Sequence, residues 1–374
     1  MKVLFLGEFS GVYTELIPAL RKKGIETYLI STGDGYKGYQ SDYSVIYNVT
    51  SHNIFLTILR KVGFAGAYHF YKMWPTLKQR LRDNDIVQLN NDFPFQCGWI
   101  VMLYILNYIF KHNQLAFLSA WGDDFVINTY SCHHGHHRFR SFTFTEKYCF
   151  VFKQYLKRYI INRFVLCHVK AIMPGMFRYR DAYLWNKKTT EIFPFAIRKE
   201  RIGTPIHIEV GKPIVIFHGW QIGREKTKGN EVFDKVIRKV VEKYGSKVNY
   251  VVVQNIPYEE YVHAFNNCHI FIDQLYADDK GMNGLLGMAA GKVVFSGFKP
   301  EALALYPYYK GNEIGIMSYD DEDYLFSKFC ELIENPQVIE KISCNAIDFV
   351  MHNHLDSIVA EHYIALWKSF YDNL

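Results

Sequence analysis

Met1-Lys2-Val3-Leu4-Phe5-Leu6-Gly7-Glu8-Phe9-Ser10-Gly11 sets the pattern that the rest of the chain repeats. A short apolar run ends in Gly7, and Gly11 follows within one turn. Apolar residues then recur at helical spacing (Leu16, Ile17, Leu20), and Arg21-Lys22-Lys23-Gly24 closes the segment. Basic residues and a glycine suit a helix C-terminus, where carbonyls lack partners and the dipole is negative. Residues 27–30 form the next apolar run. Strand, glycine turn, helix and strand within about 30 residues make a βαβ unit. Runs of the same kind recur at 86–89 and 116–119 with helical stretches between them. The first half therefore predicts a parallel sheet with helices on both faces.

The second half restarts the pattern. Lys212-Pro213 precedes the run 214–217, and 232–244 has helical spacing. Strands are expected at 248–253, 270–272, 293–295 and 314–317, with a helix at 258–267. From Asp320 onward the pattern is helical. Pro194, Gly203 and Pro205 mark a break near 193–205. The expected division is an N-terminal Rossmann-like domain at 1–195, a C-terminal one at 206–350, and a last helix at 351–374 packing back on the first domain.

Composition narrows the class. At 374 residues the chain is too long for one ordinary core. Hydrophobic residues at 49% and charged residues at 21% fit a globular protein rather than a disordered one. A net charge of +6 suits an anionic ligand or membrane surface and is too weak to indicate nucleic acid alone. The seven cysteines are scattered and never in a CxxC pair, as in a reducing compartment. The opening residues are too short for a signal peptide, so the expectation is a cytoplasmic protein. Asn48-Val49-Thr50 is then a chance match to a glycosylation acceptor. The apolar run 97–110 is shorter than a bilayer span and reads as a buried helix. The segment 147–164 mixes aromatics with Lys147, Lys153, Lys157, Arg158 and Arg163. It reads either as a helix lying on the inner face of a membrane or as a surface helix with one face in the core.

Three stretches of the second half carry more. The first is His218-Gly219-Trp220-Gln221-Ile222-Gly223-Arg224-Glu225-Lys226-Thr227-Lys228-Gly229. The second runs from Tyr258-Glu259-Glu260-Tyr261 to Ile270-Phe271-Ile272-Asp273-Gln274. The third is Asp278-Asp279-Lys280-Gly281-Met282-Asn283-Gly284-Leu285-Leu286-Gly287-Met288-Ala289-Ala290-Gly291-Lys292. In this order and spacing, residues 210–355 resemble the C-terminal half of retaining glycosyltransferases of the GT-B fold, the group 1 (family 4) type. The resemblance is thinner in the first half, at Gly7–Gly11 and at Ala120-Trp121-Gly122-Asp123-Asp124. It implies an α/β protein with two Rossmann-like parallel-sheet domains facing across a cleft and C-terminal helices crossing back. It further implies transfer of a sugar from a nucleotide-diphosphate sugar to a glycan or lipid-linked glycan, with retention, in surface-polysaccharide assembly.

The residues have their own chemical logic. A donor sugar leaves a diphosphate, so negative charge must be stabilised. Arg224 and Lys228, at a strand-to-helix turn, are expected to grip that diphosphate, as in the family; otherwise they form a solvated basic turn. Gly281, Met282, Asn283 and Gly284 open a helix whose N–H groups would face phosphate; the alternative is tight helix packing. Asp273, Gln274 and His218 stand at strand ends, where ligands of open α/β sheets bind. The family carries two carboxylates flanking this glycine loop; Asp278 fills the first position and Leu286 the second, where ribose hydroxyls need an acceptor. In the first half, Gly7 and Gly11 would admit a donor phosphate or the acceptor. Asn90-Asn91-Asp92 ends a strand, and Asp123 or Asp124 is the expected acceptor-side carboxylate.

Other motifs are weaker. Cys132-His133-His134-Gly135-His136-His137 has zinc-ligand types but no second cluster. Asp83-Asn84-Asp85 and Asp321-Glu322-Asp323 fit a turn and a helix cap. No obligatory metal or cofactor is expected. The competing readings are a non-catalytic GT-B module that binds a sugar-nucleotide or a partner enzyme, and a sugar-nucleotide epimerase.

Overall fold

The computed structural model describes residues 1–34, 38–45, 58, 62–134, 139, 142–220, 222–254, 256 and 258–372. Asn48-Val49-Thr50, Gly135, His136, His137 and Gln221 lie outside them. The chain forms two compact units, Met1–Ala196 with Val359–Leu374, and Ile197–Ile358.

The first unit is built on β1 (Lys2–Leu6), β2 (Glu26–Ser31), β3 (Tyr43–Ser44), β4 (Ile86–Leu89), β5 (Leu115–Ala120) and β6 (Ile172–Pro174). Their order is β3-β2-β1-β4-β5-β6, and every pairing is parallel. Val3, Leu4, Phe5 and Leu6 are fully buried. An uninterrupted apolar strand of this kind is the mark of a parallel sheet covered on both faces. The helix Val12–Lys22 buries Val12, Tyr13, Leu16, Ile17, Ala19 and Leu20 and ends in Arg21 and Lys22. The helix Trp99–Lys111 buries Val101, Met102, Ile105, Leu106 and Ile109. The two shortest strands of this sheet, β3 and β6, had no sequence signal. Pro174 lacks a ladder N–H and stands on an edge strand, where proline is tolerated.

Polar residues inside this sheet bond to one another. Gln88 donates to Ser119 Oγ at 2.9 Å and accepts from Trp367 Nε1 at 3.1 Å. Tyr13 Oη also meets Ser119 Oγ at 3.0 Å. Trp367 belongs to the C-terminal helix Asp356–Tyr371 and is fully buried edge-on to Phe5. Glu361 of the same helix pairs with Lys23 at 2.6 Å.

The second unit holds β7 (Ile214–Gly219), β8 (Val248–Val253), β9 (Ile270–Ile272), β10 (Val293–Ser296) and β11 (Ile316–Met317). Their order is β11-β10-β9-β7-β8, again with every pairing parallel. Helices Asn230–Tyr244, Glu322–Glu334 and Pro336–Asn353 pack Phe233, Val236, Leu325, Phe329 and Ile342 against it.

In and beside the aromatic-basic segment, Ile161, Val165 and Leu166 are buried, whereas Phe144, Tyr148 and Phe152 are exposed. No helix among the described residues is long and apolar enough to cross a membrane.

Candidate functional site

The C-terminal edge of the second sheet gathers a charged cluster. Lys228 ends the short helix Glu225–Lys228 that follows β7, and Asp273 comes directly after β9. Lys228 Nζ lies 3.3 Å from Asp273 Oδ1, and the other carboxylate oxygen accepts from Ser296 Oγ, at the end of β10, at 2.9 Å. The backbone fixes the same approach, since Leu275 N donates to Lys228 O at 2.8 Å. Asp273 is buried, and Lys228 is only 14% exposed. The pair is thus shielded from water, and its attraction is weakly screened.

The helix Met282–Ala289 starts against this pair. A Cβ on Gly284 would stand 2.9 Å from Asp273 Oδ2, so the position admits no side chain without moving the carboxylate. A Cβ on Gly281 would lie 3.6 Å from Gln274 Nε2. Met282, Asn283 and Gly284 supply first-turn N–H groups, which a helix leaves without an intrahelical partner. Met282 is buried and Asn283 exposed. Lys228, Asp273, Gln274, Gly281 and Gly284 therefore come together.

The other second-half candidates are placed differently. His218, near the end of β7, meets Tyr250 Oη through Nδ1 at 2.8 Å and Asn230 Oδ1 through Nε2 at 3.3 Å. Tyr250 gives its only proton to Asp234 Oδ1 at 3.1 Å. His218 Nδ1–H must then donate to Tyr250, and Nε2 is left as an acceptor. The Asn230 amide answers this when reversed, because its nitrogen is otherwise buried without a partner. Burial lowers the His218 pKa to about 4, so the ring is neutral at pH 7. Arg224 is exposed, and its carbonyl accepts from Thr227 N and Lys228 N, starting the short helix. Asp278 forms an ion pair with Lys299. Leu286 is half-buried in the glycine-rich helix.

In the first unit, Gly7 has φ +84° and packs against Asn90 and Pro94. Gly11 has φ +80° and packs against Tyr39. Glu8, between them, accepts from Thr14 N at 2.9 Å and Thr14 Oγ1 at 3.0 Å. Its carboxylate thereby engages the Thr14 N–H in the first turn of the helix. Its second oxygen is buried without a partner, and burial raises its pKa to about 7.

Asp123 is exposed, whereas Asp124 is fully buried. Asp124 caps the helix Phe125–His133 by accepting from Ile127 N at 2.7 Å, and it accepts from Tyr183 Oη at 2.7 Å. Asn162 Nδ2 donates to Asp92 Oδ2 at 2.9 Å and to Tyr183 Oη at 3.2 Å. Burial pushes both carboxyls up, and for Asp124 the nearby Asp92 adds to the rise.

Glu8, Asn162, Tyr183, Tyr250, Ser296 and Lys299 escaped the sequence reading. Only Glu8 had a local signal, a carboxylate between two glycines after a strand. Asp321 caps the helix Glu322–Glu334 by accepting from Asp323 N and Tyr324 N, and Asp83 stands in a turn at φ +59°. Among the described residues, no three His, Cys, Asp or Glu side chains are grouped to hold a metal ion.

This architecture, two Rossmann-like units each built on a parallel sheet, is the GT-B fold. Solved structures share it over the whole chain. HepE from Anabaena, determined with UDP and glucose, superposes with a TM-score of 0.61 at 10% identity, covering 99% of this chain and 100% of that one. The lipopolysaccharide outer core galactosyltransferase WaaB gives 0.55 at 13% identity, covering 100% of each chain. UDP-GlcNAc 2-epimerase from Neisseria meningitidis, bound to UDP-GlcNAc, gives 0.53 at 13%, covering 98% and 100%. No family model and no curated protein matches the sequence. The fold is shared both by enzymes that transfer a sugar and by enzymes that isomerise one.

Proposed function

We propose that this chain transfers a sugar from a nucleotide-diphosphate donor to a glycan or lipid-linked glycan acceptor, with retention of anomeric configuration. The observation that carries this reading is the convergence of Lys228, Asp273, Gly284 and the first turn of Met282–Ala289 at the sheet's C-terminal edge. Phosphate oxygens need a cation and N–H donors that are already in place. Lys228 supplies the cation, held by Asp273, and the first turn supplies the donors. Arg224, free to swing because it is exposed, closes on the outer phosphate. Gln274, beside Gly281, offers an amide to ribose hydroxyls where Leu286 offers nothing. The acceptor hydroxyl attacks on the face from which the diphosphate departs. The departing phosphate takes the hydroxyl proton, and no protein base is required. His218, being neutral, adds no competing charge. Asp123 remains the candidate acceptor-side carboxylate, and Asp278 the candidate carboxylate flanking the glycine loop. Asp124 has its place as a buried cap.

The test is thermal stabilisation and slow donor hydrolysis with UDP-, GDP-, ADP- and CMP-sugars, beside an Arg224→Ala/Lys228→Ala control. A ligand at about 100 times its dissociation constant adds roughly 2.7 kcal/mol. A shift with one nucleotide, lost in the control, supports the donor site. Folded protein that shifts with none would turn the reading to a non-catalytic module.

One observation favours a second reading, epimerisation on the same fold. Asp92 and Asp124 form a buried carboxyl pair with raised pKa values, the kind of pair that can divide acid and base roles. A change at the donor sugar without any acceptor would establish it.

A further inference from the structure

The first unit contains a cavity of about 240 Å³ that the donor chemistry does not use. It opens beside the loop after β4, and its lining includes Phe93, Trp99, Lys157 and Arg158. One wall is bare backbone: a Cβ on Gly98 would stand 1.9 Å from Gly63 O, and Gly98 N donates to Ala65 O at 2.8 Å. Among the described residues, two adjacent cations line the space and no carboxylate does. Its volume is below the roughly 300–1,000 Å³ of drug-sized pockets and suits one ring with a substituent.

Arg158 is poised rather than saturated. Its guanidinium lies over the Phe93 ring at 4.7 Å, and it donates to Asp123 O at 3.4 Å. Asp92 Oδ1 stands behind it at 3.8 Å, beyond hydrogen-bond reach, and has no hydrogen-bond partner. Asp92 thus balances the cation without using its donors. A guanidinium has five N–H groups, and the planar fork matches carboxylate and phosphate oxygens. The cation–π contact with Phe93 anchors the guanidinium while Lys157 adds a second, exposed charge.

We infer that this cavity binds a saccharide bearing an anionic group, a carboxylate or a phosphate, with the ring against Trp99 and Phe93 and the anion on Arg158 and Lys157. As the acceptor's seat this rests on the transferase reading, which it narrows to acidic or phosphorylated glycans. A neutral sugar would offer no acceptor of matching charge to the Arg158 N–H groups or to Lys157.

Calorimetric titration of the full chain with glucuronic acid, glucose 6-phosphate, glucose and inorganic phosphate tests it. One of the two acidic sugars should bind at least tenfold more tightly than glucose and than inorganic phosphate. Carboxylate against phosphate preference separates the two sources of charge. Lys157→Gln, at an exposed position, should weaken that binding severalfold, and Arg158→Gln tenfold or more. Lys228→Ala should leave it unchanged. Equal binding of glucose, equal binding by both cavity variants, or no binding of either acidic sugar would overturn the inference. Nucleotide-sugar stabilisation, read in the same proteins, reports separately on the transferase reading. No stabilisation of wild type by any nucleotide-sugar, with an acidic sugar still binding, would sink that reading alone.

Discussion

Replacing Lys228 by alanine separates two roles that one side chain plays. In the folded protein Lys228 neutralises Asp273, whose side chain is 3% exposed. Removing one partner of a buried ion pair costs about 3–5 kcal/mol, because the remaining charge stays desolvated. Asp273 keeps its bond from Ser296, so the low end, about 3 kcal/mol, is the expectation. For a unit of this size that is roughly 6–12 °C in melting temperature. Lys228→Ala should also lose a charge-assisted contact to phosphate, about 1.5–3 kcal/mol, or roughly 10–150-fold in nucleotide-sugar affinity. The double variant Lys228→Ala/Asp273→Asn distinguishes the two effects. It removes the stranded charge, so most of the melting temperature should return while affinity stays low. Thermal unfolding and titration with the stabilising nucleotide-sugar read both quantities on the same samples. If the double variant were no more stable than the single one, Lys228 would not be neutralising Asp273. If Lys228→Ala bound nucleotide-sugar as wild type does, the phosphate role would be refuted.

Three further outcomes follow from the geometry. Glu8 has its pKa raised by burial from 4.5 to about 7, so its contribution to stability is full below pH 4.5 and is lost as pH rises through 7. The difference in unfolding free energy between wild type and Glu8→Gln should therefore change by about 3 kcal/mol between pH 4.5 and 8, against wild type at the higher pH; a flat difference would refute the buried-carboxyl account. Gly284→Ala places a Cβ 2.9 Å from Asp273 Oδ2 and should weaken nucleotide-sugar binding more than it lowers the melting temperature. Trp367→Ala empties a fully buried site and leaves Gln88 Oε1 without its donor, which should cost about 3–5 kcal/mol by denaturant unfolding.

The alternation of apolar run, glycine turn and amphipathic helix, repeated in each half, was enough to predict two parallel-sheet units. Such periodicities are local: a strand buried on both faces reads as continuous apolar residues wherever its neighbours lie. Gly281 and Gly284 were visible for the same reason, since a helix start and close packing leave a short-range trace. The strands of β3 and β6 were not, because two or three residues carry too little pattern and tertiary pairing alone holds them. Long-range polar partners also left no trace. Nothing near Lys228 names Asp273 or Ser296 as its companions; the order β10-β9-β7 brings those strand ends side by side. Asp92, Asn162 and Tyr183 meet for the same reason, from the loop after β4 and two separate helices. The charge of a residue is written in the sequence, but what neutralises it depends on which strand ends the sheet places next to each other, and burial then sets the strength of that pairing.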